Sequence, residues 1–180
     1  MSHHLIVPDD YGFVLLAIFG MTVVYFLIGM IFVNVARKKT FTQEFMEKNF
    51  ADEHKKAFGA AAPKGGYPDM GYGRYSQRLS YEDWYNFNNA QRVHYNYFEM
   101  LPMVVITGLI SGLFYPIYAA IAIGAWTVGR IIYSIGYFVG GPNRRVPGAA
   151  LAALPTFFLI GSAGYGLTKY TFKLYIIYYY

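Results

Sequence analysis

A chain of 180 residues that is 56% hydrophobic, 20% aromatic and only 14% charged carries too few charges to cover a water-soluble domain of this size. A net charge of +5 does not point to nucleic acid, because the basic residues gather between apolar stretches instead of forming one patch, and no nucleic-acid partner is expected. With no cysteine, disulfides, a thiolate nucleophile of the protein's own, cysteine-ligated metal and S-acylation are excluded. Any thiol chemistry must arrive with a substrate.

Residues 1 to 10 form a polar lead containing Pro8, Asp9 and Asp10. With no basic or Arg-rich start, the first apolar stretch is expected to be a retained span and not a signal peptide. Tyr11 to Ala36 is free of charge and exceeds the ~20 helical residues that cross a bilayer core. Helix 1 is therefore expected from about Tyr11 to Val35, stopped by Arg37, Lys38 and Lys39. Thr40 and Gln43 have capping-box spacing. The phenylalanines that follow, Phe41, Phe45, Phe50 and Phe58, sit among charges and predict an amphipathic helix lying on the membrane. Glycine, proline and alanine from Gly59 to Gly73 signal an irregular loop, and Ser80 with Asp83 marks the start of helix 2.

Helix 2 is expected to reach Phe114. The stretch Met100 to Ile135 holds one charge, Arg130, and is too long for a single span; Tyr115 and Pro116 divide it. Helix 3 follows from about Tyr118 to Phe138 and helix 4 from about Pro147 to Lys169, with a tyrosine-rich, interfacial end at Tyr175 to Tyr180. The fold class is all-α: an integral membrane bundle of four helices in one domain, with an inserted amphipathic helix and loop at about 40–80. Nine basic residues lie between helices 1 and 2, from Arg37 to Arg78, and Arg144 with Arg145 lies between helices 3 and 4. The positive-inside rule sets these loops in the cytosol or the mitochondrial matrix, with both termini opposite.

Helix 2 carries Arg92, Asn96 and Glu99 at i, i+4 and i+7, on one helical face; His94 lies off it. Helix 3 carries Arg130, Tyr133 and Tyr137 at i, i+3 and i+7. A charge at the centre of a span costs at least ~2.5 to 3.5 kcal/mol on insertion scales, so Arg130 and Glu99 are expected to face protein or a polar cavity. An Arg–Glu pair that merely locks two helices, or headgroup-reaching Arg92 and Asn96, explains the spacing equally well. The tyrosines fit an aromatic belt, and Gly140 to Arg145 fits a solvated loop. Spacing alone yields a polar site of unknown ligand on the cationic side.

The run FNNAQRVHYNYFEMLP from Phe87 to Pro102 resembles, in register, the helix 2 signature of the MAPEG family, the membrane-associated proteins in eicosanoid and glutathione metabolism. YGFVLL from Tyr11, ARKK from Ala36, WTVGRIIYSIGY from Trp126 and GGPNRR with GAA from Gly140 extend the resemblance across all four helices. His94, the YGFVLL start and YPDM from Tyr67 are similar to the microsomal glutathione S-transferase type 3 branch. The resemblance implies a trimer in an endoplasmic reticulum or mitochondrial membrane that takes glutathione as co-substrate between subunits near the cytosolic side. It is conjugated to lipophilic electrophiles or used to reduce lipid hydroperoxides. Carried over by position, Arg37 or Lys38, Arg92, Asn96, Glu99, Tyr133 and Tyr137 hold glutathione and Arg144 is the catalytic arginine; no metal is implied.

Two features depart from the family. The link from Ala36 to Phe87 is about twice the usual length, and the tail KYTFKLYIIYYY is unfamiliar. They favour a second expectation, a non-catalytic subunit of a larger membrane assembly in which other polypeptides order Thr40 to Tyr85 and the tail.

Overall fold

A computed structural model describes residues 7–179 of the backbone, with side chains described as far as Phe172. Four helices are long and apolar enough to cross a membrane. The first consists of α1 (Tyr11–Ile28), a π-helical turn (Gly29–Val33) and α2 (Asn34–Thr40) in one continuous run. The insert supplies α3 (Gln43–Phe58), and the remaining spans are α4 (Tyr81–Phe114), α5 (Pro116–Gly140) and α6 (Val146–Tyr179).

Local chemistry sets these boundaries. Ser80 Oγ accepts from the Asp83 amide at 3.1 Å and donates to the Asp83 carboxylate at 2.8 Å, which caps α4. Pro116 occupies the first turn of α5, where its missing N–H is not needed. The cap of α3 is Thr42, whose hydroxyl accepts from the Phe45 amide at 3.1 Å. The capping-box expectation thus fell two residues early, because Thr40 still belongs to α2. Helix α6 runs ten residues beyond Lys169, since the tail contains no glycine or proline to break it; the tail's side chains from Lys173 onward lie outside the described residues.

Helix α5 is central and packs on α1, α4 and α6. From α1 only a seven-residue seam, Val14, Met21 and Ile28, is buried, against Val93, Tyr97 and Val104 of α4 and Ile123 and Trp126 of α5. The other faces of the spans carry exposed Leu16, Phe19, Phe26, Phe157 and Val139, as a lipid solvent permits. Lipid gives apolar helices little reason to associate, so close van der Waals packing must hold them. The α5–α6 crossing supplies it through small residues. A Cβ on Gly129 would stand 2.8 Å from the Ala152 amide nitrogen, and one on Gly148 would strike the backbone of Tyr133.

The insert forms its own small core. Phe41, Met46, Phe50 and Ala62 are buried against Ala36, Phe87 and Ala90, with Phe41 edge-on to Phe87 at 5.0 Å. Each such ring removed from water contributes about 1.5–3 kcal/mol. Phe41 and Phe50 therefore pack on the chain itself, and Phe58 alone among the four stays fully open. Arg37 pins the loop from beneath, donating to the Gly65 carbonyl at 3.1 Å and to Met70 Sδ at 3.5 Å under the Tyr67 ring. Trp84 and Asn88 of α4 both donate to the Gly71 carbonyl. The expectation that other polypeptides order this segment is corrected: α2 and α4 of the same chain hold it.

Asp69 organises the loop. Its carboxylate accepts from the amides of Gly71, Gly73 and Ser76 and from the Ser76 hydroxyl at 2.7–3.0 Å. Burial by itself would raise the Asp69 carboxyl, but these four donors outweigh it and hold the carboxyl below its ordinary value. A depressed carboxylate contributes stability above its unfolded pKa and loses it as pH falls through the folded one. Protection of the Gly71, Gly73 and Ser76 amides from hydrogen exchange is accordingly expected to hold near neutrality and to fade only below the ordinary aspartate range; Asp69→Ala, which removes both acceptor oxygens, should expose them at every pH.

The crossing of α5 and α6 gives a second test. Gly129→Ala is expected to cost about 1–3 kcal/mol by overpacking. Gly161→Ala on α6, whose Cβ would meet nothing within 4 Å, should be neutral or gain up to ~1 kcal/mol from helix propensity. Thermal unfolding of both variants in one detergent distinguishes them.

Candidate functional site

A cavity of 520 Å³ opens between α4, α5 and α6 toward the end that carries the cationic loops, lined by Arg92, Asn96, Trp126, Arg130, Tyr133 and Arg145 and, from α6, by Ala152, Ala153, Thr156 and Phe157. Each helix contributes by its period. On α4, Arg92 and Asn96 are one turn apart. On α5, Trp126, Arg130 and Tyr133 follow at i, i+4 and i+7. The short side of α6 leaves the space, since Ala149, Ala152 and Ala153 face it.

Arg130 is the centre of the site. It is 4% exposed, and its guanidinium carbon lies 4.1 Å from the Tyr133 ring centroid, 5.4 Å from Tyr97 and 5.6 Å from Trp126. The rings are themselves fixed: Tyr97 donates its hydroxyl to the Met21 carbonyl at 3.0 Å and stands edge-on to Trp126 at 5.1 Å. Three π-faces stabilise the cation. Two of its buried nitrogens, Nε and Nη2, nevertheless have no hydrogen-bond partner. Unmet buried donors of this kind cost ~1–3 kcal/mol each, and more on a charged group, so the arrangement calls for an anionic group in the adjoining space.

The other expected residues divide. Arg92 approaches Glu99 at 3.6 Å, and Asn96 donates to Glu99 at 3.4 Å. Glu99 thus pairs along its own helix and is about half exposed, 53%, whereas Arg130 is buried against rings of α4 and α5 and faces the cavity, as expected of it. Tyr133 and Tyr137 are buried with centroids 5.7 Å apart, and Arg145 lies over Tyr137 at 5.5 Å. Arg37, 3% exposed, is committed to the insert and away from the cavity, while Lys38 beside it is exposed. Arg144 is exposed, with its carbonyl against Gly136 and its stem against Gly140, and it does not line the cavity.

Arg145 and Trp126 line the site without having been assigned to it by sequence. Trp126 was findable, four residues before Arg130 on the same face. Arg145 was not, because the 3-10 turn Pro142–Arg145 separates neighbouring side chains by about a third of a turn, and which one faces the cavity depends on how α6 docks. His94 stays outside, stacked on Tyr25 of α1 at 4.8 Å.

A four-span integral membrane protein with a cation-rich cavity between its helices at one membrane face is the class these observations define. The chain belongs to the MAPEG family, which it matches over residues 14–165, through all four spans. Members of this family use glutathione.

An unpaired buried charge that serves a ligand can be replaced without loss of fold. Arg130→Met is expected to leave thermal stability unchanged or raised while weakening the binding of an anionic ligand in the cavity about 10- to 100-fold, the worth of one or two charge-assisted hydrogen bonds. Calorimetric titration beside an unfolding curve reads both.

Proposed function

We propose that this protein binds glutathione in the α4–α5–α6 cavity and acts as a membrane glutathione transferase or peroxidase on lipophilic substrates. The observation that carries this reading is Arg130, buried in its ring cage with two nitrogens unpartnered beside a cavity that also receives Arg92, Asn96 and Arg145. Glutathione suits these groups, having two carboxylates for the arginines, an ammonium for Glu99 and a thiol. The chain's packing of the insert on its own helices supports an enzyme over a non-catalytic subunit. The resemblance to the type 3 branch supports an endoplasmic reticulum or mitochondrial membrane.

The thiol chemistry follows from charge. A cysteine thiol titrates near ~8.5, and an adjacent guanidinium favours the thiolate that attacks. The thiolate sulfur then bonds the electrophilic carbon, and the leaving group departs with the electron pair of the broken bond. The reading gives Arg145, inside the chain's own cavity, a carboxylate of glutathione. It gives Arg144 the thiolate, reached across a subunit boundary in a homotrimer or larger assembly, to which exposed Lys38 also contributes. Arginine fits both tasks because it stays protonated and offers several donors.

Kinetics separate the two arginines. Arg144→Ala is expected to lower kcat about 100-fold or more with KM for glutathione within a few fold, because a group that stabilises developing thiolate acts on the chemical step. Arg145→Ala should raise KM with a smaller effect on kcat. The reverse pattern would move the catalytic role to Arg145, and equal turnover in both variants and wild type would remove the arginines from the mechanism.

A further inference from the structure

The start of α4 stands clear of the bundle, since every position from Tyr81 to Asn86 is exposed. A helix end with so few buried groups has little stability of its own and frays unless it is held. Two buried glycines hold it from two sides. Gly71 of the insert and Gly141 at the 3-10 turn between α5 and α6 have positive φ, 109° and 72°, and each is seated against an i, i+4 pair of α4. Trp84 Nε1 and Asn88 Nδ2 donate to the Gly71 carbonyl at 3.1 and 3.0 Å, and a Cβ on Gly71 would stand 2.8 Å from Asn88 Oδ1. Asn88 also donates to the Trp84 carbonyl at 2.9 Å, which fixes its amide. On the next row, about 100° around the helix, a Cβ on Gly141 would stand 3.1 Å from Tyr85 Oη and 3.7 Å from Asn89 Nδ2. Adjacent residues of one helix end thus touch two segments that are distant in the chain.

Gly141 opens the turn that carries Arg144 and Arg145. Its amide donates to the Tyr137 carbonyl at 2.9 Å, and its carbonyl accepts from the Arg144 amide at 3.2 Å, so the placement of Gly141 decides where both guanidiniums are delivered. We propose that the insert is a brace for this turn. By holding Trp84 and Asn88, the Gly71 carbonyl keeps Tyr85 and Asn89 against Gly141 and so aims Arg144 and Arg145. Trp84, Tyr85, Asn88 and Asn89 are positioning residues, acting through the turn and touching no ligand themselves. The long link between the first two spans thereby acquires a task at the site although it does not line the cavity. Coupling between two seats on one helix is reciprocal, so release of either loosens the other. The consequence for catalysis rests on the glutathione reading above; the brace itself does not.

Hydrogen exchange reads the brace without any ligand. The double variant Trp84→Phe, Asn88→Ala removes both donors to Gly71 and keeps a ring at position 84. The amides of Gly71 and Gly73 report on the loop, those of Gly141 and Arg144 on the turn, and those from Ile123 to Arg130 on the bundle. Exchange is expected to quicken about tenfold at both loop and turn, an ordinary size for coupling between sites, with the bundle unchanged. Tyr85→Ala, made at the opposite seat, should quicken the loop in return. In conjugation assays the double variant should show kcat lowered and KM for glutathione raised, each about fivefold or more, because displaced groups lose their alignment. That paired pattern differs from the split expected of Arg144→Ala and Arg145→Ala. A loop that loosens while the turn exchanges as in wild type would overturn the proposal, as would a loop that stays closed without the two donors. If the bundle quickens too, Trp84→Phe alone is judged by the same outcomes. A looser turn with kcat and KM unchanged would overturn the aiming of the arginines. A wild type without conjugating activity would instead sink the glutathione reading, and the exchange measurements would still decide the brace.

Discussion

A permanent positive charge inside a membrane-spanning helix is the constraint around which this molecule is arranged. Arg130 cannot be deprotonated to escape lipid, and among the described residues no carboxylate forms an ion pair with it; three aromatic rings from α4 and α5 enclose it instead. Ring faces stabilise a cation without consuming its N–H groups. The charge is thus kept in the span while donors remain for a ligand. The cage in turn fixes Tyr97 against α1 and Trp126 against Tyr97, so the buried seam of α1 and the cavity floor depend on the same side chains.

The second organising contact is the approach of α5 and α6 at Gly129 and Gly148. Their backbones touch there, and the 3-10 turn between them, Pro142–Arg145, delivers Arg144 and Arg145 to opposite surroundings: one to the exterior, the other over Tyr137 at the cavity. The alanines that allow the approach also leave the space that the ligand would fill. Packing and site are produced by the same choice of small residues on α6.

The insert shows how a polar segment with few large apolar groups acquires order. Its glycine-rich loop buries little, yet one carboxylate collects four donors and one arginine from α2 closes the other side. That arginine is Arg37, one of the two cations at the end of the first span assigned by resemblance to glutathione. Within the chain it is engaged by the Gly65 carbonyl and Met70, and its neighbour Lys38 is the exposed one.

The four spans, the break at Tyr115 and Pro116, the cationic side and the polar faces of α4 and α5 are all legible in the sequence. They follow from hydropathy and helical period, properties of residues taken in order. The signature from Phe87 to Pro102 also carried the family. Tertiary structure alone decided three further matters. Arg37 is buried, because a loop 28 residues later folds back on it. Arg145 and not Arg144 enters the cavity, because α6 docks so closely on α5. Phe41 and Phe50 of the insert turn inward, because Phe87 and Ala90 of α4 offer them an apolar surface. Periodicity names the face on which a side chain stands; what meets that face depends on segments distant in the chain.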